Sequence, residues 1–400
     1  MKRLLIIALS AAGASAQEFL DKLDDRLFIE CPKCAYRTDL SVLADVEAYT
    51  IDQNPPGLLF SNHDVLIQPR LSLFLDTTLG KHLYSLVQIR ADRGFDPGVA
   101  PDGQIRADEY LFRYTPFDEP WFNIQVGKFA TFYGNWVSRH DSWRNPFINP
   151  PLPYENVMTI TDQSTPGGPA AFLARKNGPD KKALWLPILW GPSYASGAAI
   201  FGTVERADYA VEVKNANLSS RPAVWDPFDL QWSYPTITGR LGYRPDAAWN
   251  VGANASYGAY LLPAAKAPGI GLGDYHQTTV GPDVSFSWRH WQFWGEAMAS
   301  RFEVPNVGNA DTLAYYVEAK YKFTPELFGA VRWNQQFFDD VPDGAGGRTP
   351  WDQDIWRAEV ALGYRFTRHL QTKAQYSYSH QKGPFQQGEQ MAAVQLTVKF

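Results

Sequence analysis

The segment 236–258, with the sequence TITGRLGYRPDAAWNVGANASYG, contains two runs in which apolar and polar residues alternate. In the first run Ile237 and Leu241 alternate with polar residues, and in residues 249–257 every odd-numbered residue is apolar. Such alternation is typical of a β-strand whose two faces meet different surroundings. The residues RPDA between the runs include proline and aspartate, which favour tight turns. We therefore predict an antiparallel hairpin here.

The same alternation recurs along the chain and predicts about sixteen strands. They lie at residues 41–50, 65–76, 82–91, 106–115, 121–129, 197–204, 207–214, 236–244, 248–259, 276–288, 291–302, 312–323, 326–338, 354–366, 369–380 and 391–400. Most have the roughly 9–11 residues of a tilted membrane-spanning strand, and their connections are alternately short and long. The last strand, which ends in VQLTVKF, would return beside the first and leave no open sheet edge. The predicted fold class is all-β, a transmembrane antiparallel β-barrel over residues 41–400 with long extracellular loops and short periplasmic turns.

The composition agrees with such a barrel but does not require one. The chain has 14 Trp, 20 Tyr and a mean hydropathy of −0.32. A barrel with a wet interior and aromatic girdles would have this composition, and so would a carbohydrate-binding β-protein. The net charge of −5 at pH 7 does not suggest a nucleic-acid-binding protein, so no nucleic-acid partner is expected.

The N-terminus has the pattern of a secretory signal peptide. A basic start, an apolar run too short to span a bilayer and a small-residue motif at 14–16 follow one another within residues 1–16. An apolar N-terminal core helix is the alternative interpretation. Residues 17–40 are expected to form a periplasmic N-terminal segment with a short amphipathic helix near 18–28.

The two cysteines, Cys31 and Cys34, lie in the motif CPKC. In an exported protein this spacing favours a local disulfide, because the compartment is oxidising. Haem attachment would need histidine at position 35, which is Ala35, and a metal site would need two further ligands. A redox motif would need a thioredoxin-like context. We predict a disulfide, with no cofactor-binding or metal site.

Several stretches resemble a known protein family. A signal sequence, an even number of alternating strands and a last strand ending in Phe400 are shared with the Gram-negative outer-membrane porins. The stretches IQVGKFATFYG, ADYAVEVKN, ITGRLGYRP and YYVEAKYKFTPELFGAVRW resemble the phosphate-selective porin type and its uncharacterised relatives. Phosphate-selective porins line their channels with a dense ladder of basic residues, whereas this chain is acidic overall. The resemblance therefore does not imply phosphate specificity.

The resemblance implies a function and a location. We expect a passive diffusion channel for small hydrophilic or anionic solutes in the bacterial outer membrane. Its partners would be outer-membrane lipid, lipopolysaccharide and small solutes, and the chain would be able to form a homotrimer.

In such a barrel the polar face of each strand lines the lumen, where charged side chains select solutes. The basic residues on that face are the pore-lining candidates Arg90, Arg113, Arg240, Arg244, Arg332, Arg357, Arg365 and Lys373, together with Arg70, Arg289, Lys320 and Lys322. The acidic ones are Asp45, Glu47, Asp76, Glu109, Glu212, Asp283, Glu296, Glu318 and Glu359. These charges would either pair with each other across the wall or act as a selectivity filter.

The longest connection, at 130–196, is rich in Trp, Phe and Pro, so it is not a flexible linker. In the porins that it resembles, the third extracellular loop folds into the barrel and narrows it. By that resemblance the constriction candidates are Arg139, His140, Asp141, Arg144 and Glu155. The alternative is an outer lid that packs on its neighbours.

Two other function classes remain open. A barrel closed by its loops for binding or export would have the same strands. A barrel enzyme would need a nucleophile and a base, and the chain places such residues together only at Ser138, His140, Asp141 and Ser142. Closeness in sequence does not make a catalytic triad, so we predict no catalytic residues and no enzymatic activity.

Overall fold

The computed structural model describes residues 20–23, 26–53, 57–59, 61, 63–93, 102–178, 182–228, 230–382 and 388–400. The predicted signal peptide at 1–16 lies outside the described residues, and so does part of the predicted amphipathic helix. Residues 20–23 of that helix are helical.

Sixteen antiparallel strands of the described chain form a closed barrel. They are β1 (Tyr36–Ile51), β2 (Val65–Leu79), β3 (Leu83–Asp92), β4 (Gln104–Tyr114), β5 (Asn123–Phe129), β6 (Ala195–Val204), β7 (Ala207–Lys214), β8 (Thr236–Tyr243), β9 (Trp249–Ala259), β10 (His276–Trp288), β11 (Trp291–Val304), β12 (Gly308–Lys322), β13 (Leu327–Phe338), β14 (Ile355–Arg365), β15 (Leu370–Gln381) and β16 (Glu389–Lys399). Each strand pairs with the next, and β16 pairs with β1 from Met391 opposite Ile51 to Lys399 opposite Leu43. The predicted barrel of about sixteen strands is confirmed.

Two regions differ from the prediction by four residues or more. Strand β1 begins at Tyr36 rather than at 41, because a short strand at Phe28–Cys31 pairs with its first residues. The predicted long loop at 303–311 is wrong, since β11 and β12 are joined by a tight turn at 305–307. In that turn Asn306 has a φ of 62°, a left-handed conformation that asparagine tolerates better than most residues. The order of short and long connections is therefore not strict.

The two faces of the strands differ in the way the alternation predicts. On β13, Arg332, Asn334 and Gln336 are buried toward the lumen, whereas Val331 on the opposite face is 55% exposed. On β16, Gln395 is buried and its neighbour Val394 faces outward. The inward faces of these strands are thus polar and their outward faces apolar, the reverse of a water-soluble protein.

The connections define two ends of the barrel. The short-turn end contains the connections at 80–82, 115–122, 205–206, 244–248, 289–290, 323–326 and 366–369. The long-loop end contains those at 52–64, 93–103, 130–194, 215–235, 260–275, 305–307, 339–354 and 382–388. Within the described chain, no helix combines the length and apolar character needed to cross a membrane.

The main apolar core is formed by loops. We call residues 130–194 the inner loop. Its described residues fold into the barrel and bury Tyr154, Phe172, Leu186 and Trp190 among side chains of other loops and strands. We call this group of buried apolar residues the apolar loop cluster. It occupies the long-loop half of the barrel interior, so the inner loop is packed in place.

Candidate functional site

The inner loop is attached to one side of the barrel wall, beginning at Glu296 on β11. The Glu296 carboxylate accepts hydrogen bonds from the backbone N–H of Asn135 at 2.8 Å and of Trp136 at 2.7 Å. It also accepts from the hydroxyl groups of Tyr154 at 2.5 Å and Tyr316 at 2.8 Å. These donors stabilise a buried carboxylate, and they hold both ends of residues 135–154 against the wall.

A buried row of alternating charges continues along the same side of the wall. We call it the charge ladder, and its residues in spatial order are Arg139, Glu318, Arg332, Glu359, Arg357 and Glu155. Its two end members belong to the inner loop: Arg139 Nη1 lies 2.6 Å from Glu318 Oε1, and Glu155 pairs with Arg357. The ladder therefore clamps the loop at two points.

The middle of the ladder belongs to the wall strands β12, β13 and β14. Arg332 Nε lies 2.5 Å from Glu359 Oε2, and Arg332 Nη1 lies 3.4 Å from Glu318 Oε2. Arg357 Nε is 3.3 Å from the same Glu359 oxygen. Each charged side chain of the ladder has a neighbour of opposite charge, which a buried ion requires.

Carbonyl groups of the inner loop complete the attachment. Arg332 Nη2 donates to the Asn149 carbonyl at 2.9 Å, and Lys373 Nζ donates to the carbonyls of Asn145 and Phe147, each at 3.0 Å. The Phe147 ring lies under the Arg332 guanidinium, 4.2 Å from its Cζ. The inner loop thus covers this wall and keeps water away from it.

The inner loop does not fill the opposite side of the lumen. A cavity of about 1290 Å³ lies between the inner loop and the wall formed by β1–β9, and we call it the lumen cavity. Pro120, Thr203, Arg244 and Phe400 line it at the short-turn end, and Arg90 and Pro150 line it deeper inside. Its volume is larger than that of a typical small-molecule pocket. A hydrated organic solute would fit within it.

The predicted pore-lining residues divide into two groups. Those that line the lumen cavity are Arg90, Arg113, Arg240 and Arg244. Arg332, Arg357 and Lys373 face inward but lie beneath the inner loop, which their side chains contact. Arg365 donates to Gln371 Oε1 at 2.8 Å and to the Trp143 carbonyl at 3.2 Å, nearer the short-turn end.

The constriction candidates divide in the same way. Arg139 and Glu155 are the end members of the charge ladder and are buried. His140, Asp141 and Arg144 line the lumen cavity, where Arg144 Nε lies 3.0 Å from Asp141 Oδ2. Of the five candidates, His140, Asp141 and Arg144 are thus the ones that face the lumen cavity.

Most cations of the cavity wall are paired with carboxylates. Arg90 Nε lies 2.9 Å from Asp92 and 3.2 Å from Asp108. Arg240 lies 2.5 Å from Asp208 and 2.8 Å from Asp283. The two alternatives for the lumen charges were pairing across the wall and a selectivity filter. Arg90 and Arg240 pair with carboxylates, so the first alternative describes them.

Sequence reasoning missed some of these partners. Asp208 lies at a position of β7 that faces the lumen, so the alternation of apolar and polar residues would have identified it. Asp108 and Glu109 both face the lumen, because the register between β3 and β4 shifts at Gln88/Ile89. A bulge of this kind breaks the period of two, and the sequence has no signal for it. Arg289, placed in the lumen by alternation, lies instead in the turn after β10, beside the Trp288 ring.

Two of the residues considered for catalysis, His140 and Ser138, are engaged in structural contacts. His140 Nδ1 lies 2.6 Å from the Val137 carbonyl, and its Nε2 lies 2.5 Å from the Tyr194 hydroxyl. Burial lowers the pKa of His140, which favours the neutral ring. Ser138 Oγ donates to the Asn135 carbonyl at 2.9 Å. This arrangement lacks the hydrogen bond from nucleophile to base that a triad needs.

The cysteine motif lies ahead of the barrel. Cys31 and Cys34 are joined by a disulfide, with their Cα atoms 5.3 Å apart. Among the described residues, no group of three histidine, cysteine or acidic side chains is close enough to hold a metal ion. Asp21 of the N-terminal helical segment lies 2.7 Å from Arg368 and 2.8 Å from His369 at the short-turn end.

Known structures resemble the whole barrel. The outer membrane protein OmpT of Vibrio cholerae, in its trimer form, is 11% identical with a TM-score of 0.56, over 92% of this chain and 100% of that one. The anion-selective porin from Comamonas acidovorans is 10% identical with a TM-score of 0.57, over 91% of this chain and 100% of that one. The outer membrane channel DcaP of Acinetobacter baumannii is 12% identical with a TM-score of 0.55, over 92% of this chain and 98% of that one.

No known family profile and no curated protein sequence matches this chain. The similarity to solved structures is therefore one of fold at low sequence identity. The protein has the closed antiparallel barrel fold of outer-membrane porins.

Proposed function

We propose that this protein is an outer-membrane porin that forms a passive channel for small hydrophilic solutes, including organic anions. The observation that carries the proposal is the lumen cavity of about 1290 Å³, enclosed by a barrel with an apolar outer face. A barrel of sixteen strands is wide enough for an aqueous path beside an inward-folded loop. Solutes would pass between the inner loop and the wall of β1–β9.

The proposal includes a location and partners. The outer face of the barrel suits outer-membrane lipid, with lipopolysaccharide around the long-loop end and the short turns in the periplasm. A homotrimer is proposed for this chain, and one similar protein is described as a trimer form. No enzymatic activity is proposed, because Ser138 and His140 are engaged in other contacts.

Charge pairing limits the expected selectivity. Arg90 and Arg240 are compensated by carboxylates, whereas Arg113 hydrogen-bonds to the neutral Gln125. We therefore expect a weak preference for anions, which a salt gradient would reveal as a small reversal potential.

A planar-bilayer recording tests the channel. Purified protein should produce stepwise increases in conductance, and Arg113→Glu should shift the ion preference toward cations because it reverses an uncompensated charge. Arg206→Glu, in a turn outside the cavity, is the matched control and should leave the preference unchanged. Heat-dependent gel migration shows whether the protein is folded. A folded protein that gives no conductance would contradict the proposal.

One observation favours a second candidate function. The apolar loop cluster fills the long-loop half of the barrel, as a barrel kept closed for binding or export would require. Such a barrel would conduct only after its loops had been displaced. Conductance of the unmodified protein therefore decides between the two functions.

A further inference from the structure

One region of the cavity wall brings several aromatic and aliphatic side chains together. It is formed by strands β3–β6 and the start of the inner loop, and we call it the aromatic patch; its residues are Tyr84, Leu86, Leu111, Phe129, Phe132 and Phe201. The Phe132 and Phe201 ring centroids lie 5.1 Å apart. Apolar surface that lines an aqueous space is unfavourable, at about 25 cal/mol per Å². A solute with an apolar part would cover this surface and remove it from water.

Arg113 lies in the middle of this patch. Its Cζ is 5.1 Å from the Tyr84 ring centroid and 5.0 Å from the Phe201 ring centroid. Its Nε and Nη2 donate to Gln125 Oε1 at 3.1 and 2.8 Å. Gln125 is neutral, and among the described residues the Arg113 guanidinium forms no ion pair of the kind that Arg90 and Arg240 form.

The nearest acidic groups are engaged elsewhere. Asp76 accepts a hydrogen bond from the Tyr84 hydroxyl at 2.5 Å, and Glu109 accepts one from the Ala130 backbone N–H at 2.8 Å. Neither carboxylate forms an ion pair with Arg113 in the described structure. The remaining Nη hydrogens of Arg113 are thus available to an anion from the cavity.

We propose that the aromatic patch and Arg113 form a binding site for a small organic anion that has a carboxylate attached to an apolar or aromatic body. The carboxylate pairs with the Arg113 guanidinium, whose planar fork suits two parallel hydrogen bonds. The apolar body lies against the rings of Tyr84 and Phe201. This site deepens the proposed channel function, on which its role in transport rests, because the anion would bind on its way through the lumen.

Isothermal titration calorimetry on the detergent-solubilised full-length protein tests the site. Three probes separate its two parts: sodium benzoate has both charge and ring, sodium acetate has the charge alone, and benzyl alcohol has the ring alone. We expect benzoate to bind at least about tenfold more tightly than either of the others, since each part contributes. Equal binding of acetate and benzoate would overturn the proposal.

Three variants locate the binding. Arg113→Gln should weaken benzoate binding at least about tenfold, because it removes a charge-assisted hydrogen-bond donor. Phe201→Ala keeps the charge and should weaken binding about threefold or more through loss of ring contact. Arg206→Gln, which removes the same charge from a turn outside the cavity, should bind as the wild type does. Heat-dependent gel migration verifies that each variant is folded.

The outcomes separate this proposal from the channel itself. Benzoate binding that depends on Arg113, in a protein without conductance, would contradict the channel and support the site. Conductance in a protein whose benzoate binding is unchanged by Arg113→Gln would overturn the site and leave the channel.

Discussion

At the scale of single residues, the charge ladder shows how a buried ion depends on its neighbours. Glu359 lies between Arg332 and Arg357, and it also accepts hydrogen bonds from Asn334 at 2.8 Å and Gln375 at 3.0 Å. Glu359→Gln would remove the negative charge that both the Arg332 and the Arg357 guanidinium groups contact. We expect the free energy of unfolding in urea to fall by about 3–5 kcal/mol, the usual cost of breaking a buried pair.

An exposed pair is the control for that measurement. Lys81 and Asp118 lie 4.0 Å apart in two turns, with side chains about four-fifths exposed. Asp118→Asn should change the free energy of unfolding by less than about 1 kcal/mol. A Glu359→Gln protein as stable as this control would mean that water reaches the ladder.

At the scale of structural elements, the inner loop depends on Glu296 of β11. Glu296→Ala would leave the backbone N–H groups of Asn135 and Trp136 and the Tyr154 hydroxyl without their acceptor. Each lost bond to a charged group costs about 1.5–3 kcal/mol, so residues 135–154 should detach from the wall part of the time. Single-channel recordings should then become noisier than those of the wild type.

Glu303 is a matched control on the same strand, since its side chain lies on the outer face beside His276. Glu303→Gln should give recordings as quiet as those of the wild type. If Glu296→Ala also gave quiet recordings, the ladder and the apolar loop cluster alone would be sufficient to hold the inner loop.

At the scale of the whole molecule, the outer surface has two kinds of face. On β9–β15 it carries aromatic residues, among them Trp249, Phe286, Trp333 and Trp356, as a lipid-facing surface does. The outward side chains of β16, of β1 from residue 40, and of β2 and β3 are aliphatic or small, with the exception of Gln390. The aromatic residues of these segments face the lumen. We expect the homotrimer proposed above to form through this aliphatic face.

Cysteine cross-linking tests that contact. Val46 on β1 and Val331 on β13 are outward-facing and similarly exposed, at 51% and 55%. We expect Val46→Cys to form oligomers under mild oxidation in the membrane, with a trimer on size-exclusion chromatography, and Val331→Cys to remain monomeric on non-reducing gels. Cross-linking through Val331 and not through Val46 would place the contact on the aromatic face.

The strands were predictable because their geometry is local. Side chains of a strand alternate between two faces, so a barrel with lipid outside and water inside imposes a period of two that is readable in segments such as 236–243 and 394–400. All sixteen strands were found in this way, and so was the inward orientation of Arg90, Arg113 and Arg240. The turn at 305–307 was missed, because nothing in residues 303–311 shows how far the two strands extend.

The sequence by itself determined that this chain forms a closed barrel whose strands have polar inward faces, since alternation and length are properties of each strand alone. Only the tertiary structure decided which lumen charges are compensated and which side of the lumen is open. Arg139 and Glu318 are 179 residues apart, and their contact depends on the path of the inner loop. That path is set by contacts with many wall strands, among them β11–β15, and by the packing of the apolar loop cluster. No local pattern encodes such contacts, and this is why Arg139 became an anchor of the loop while Arg113 remained open to the cavity.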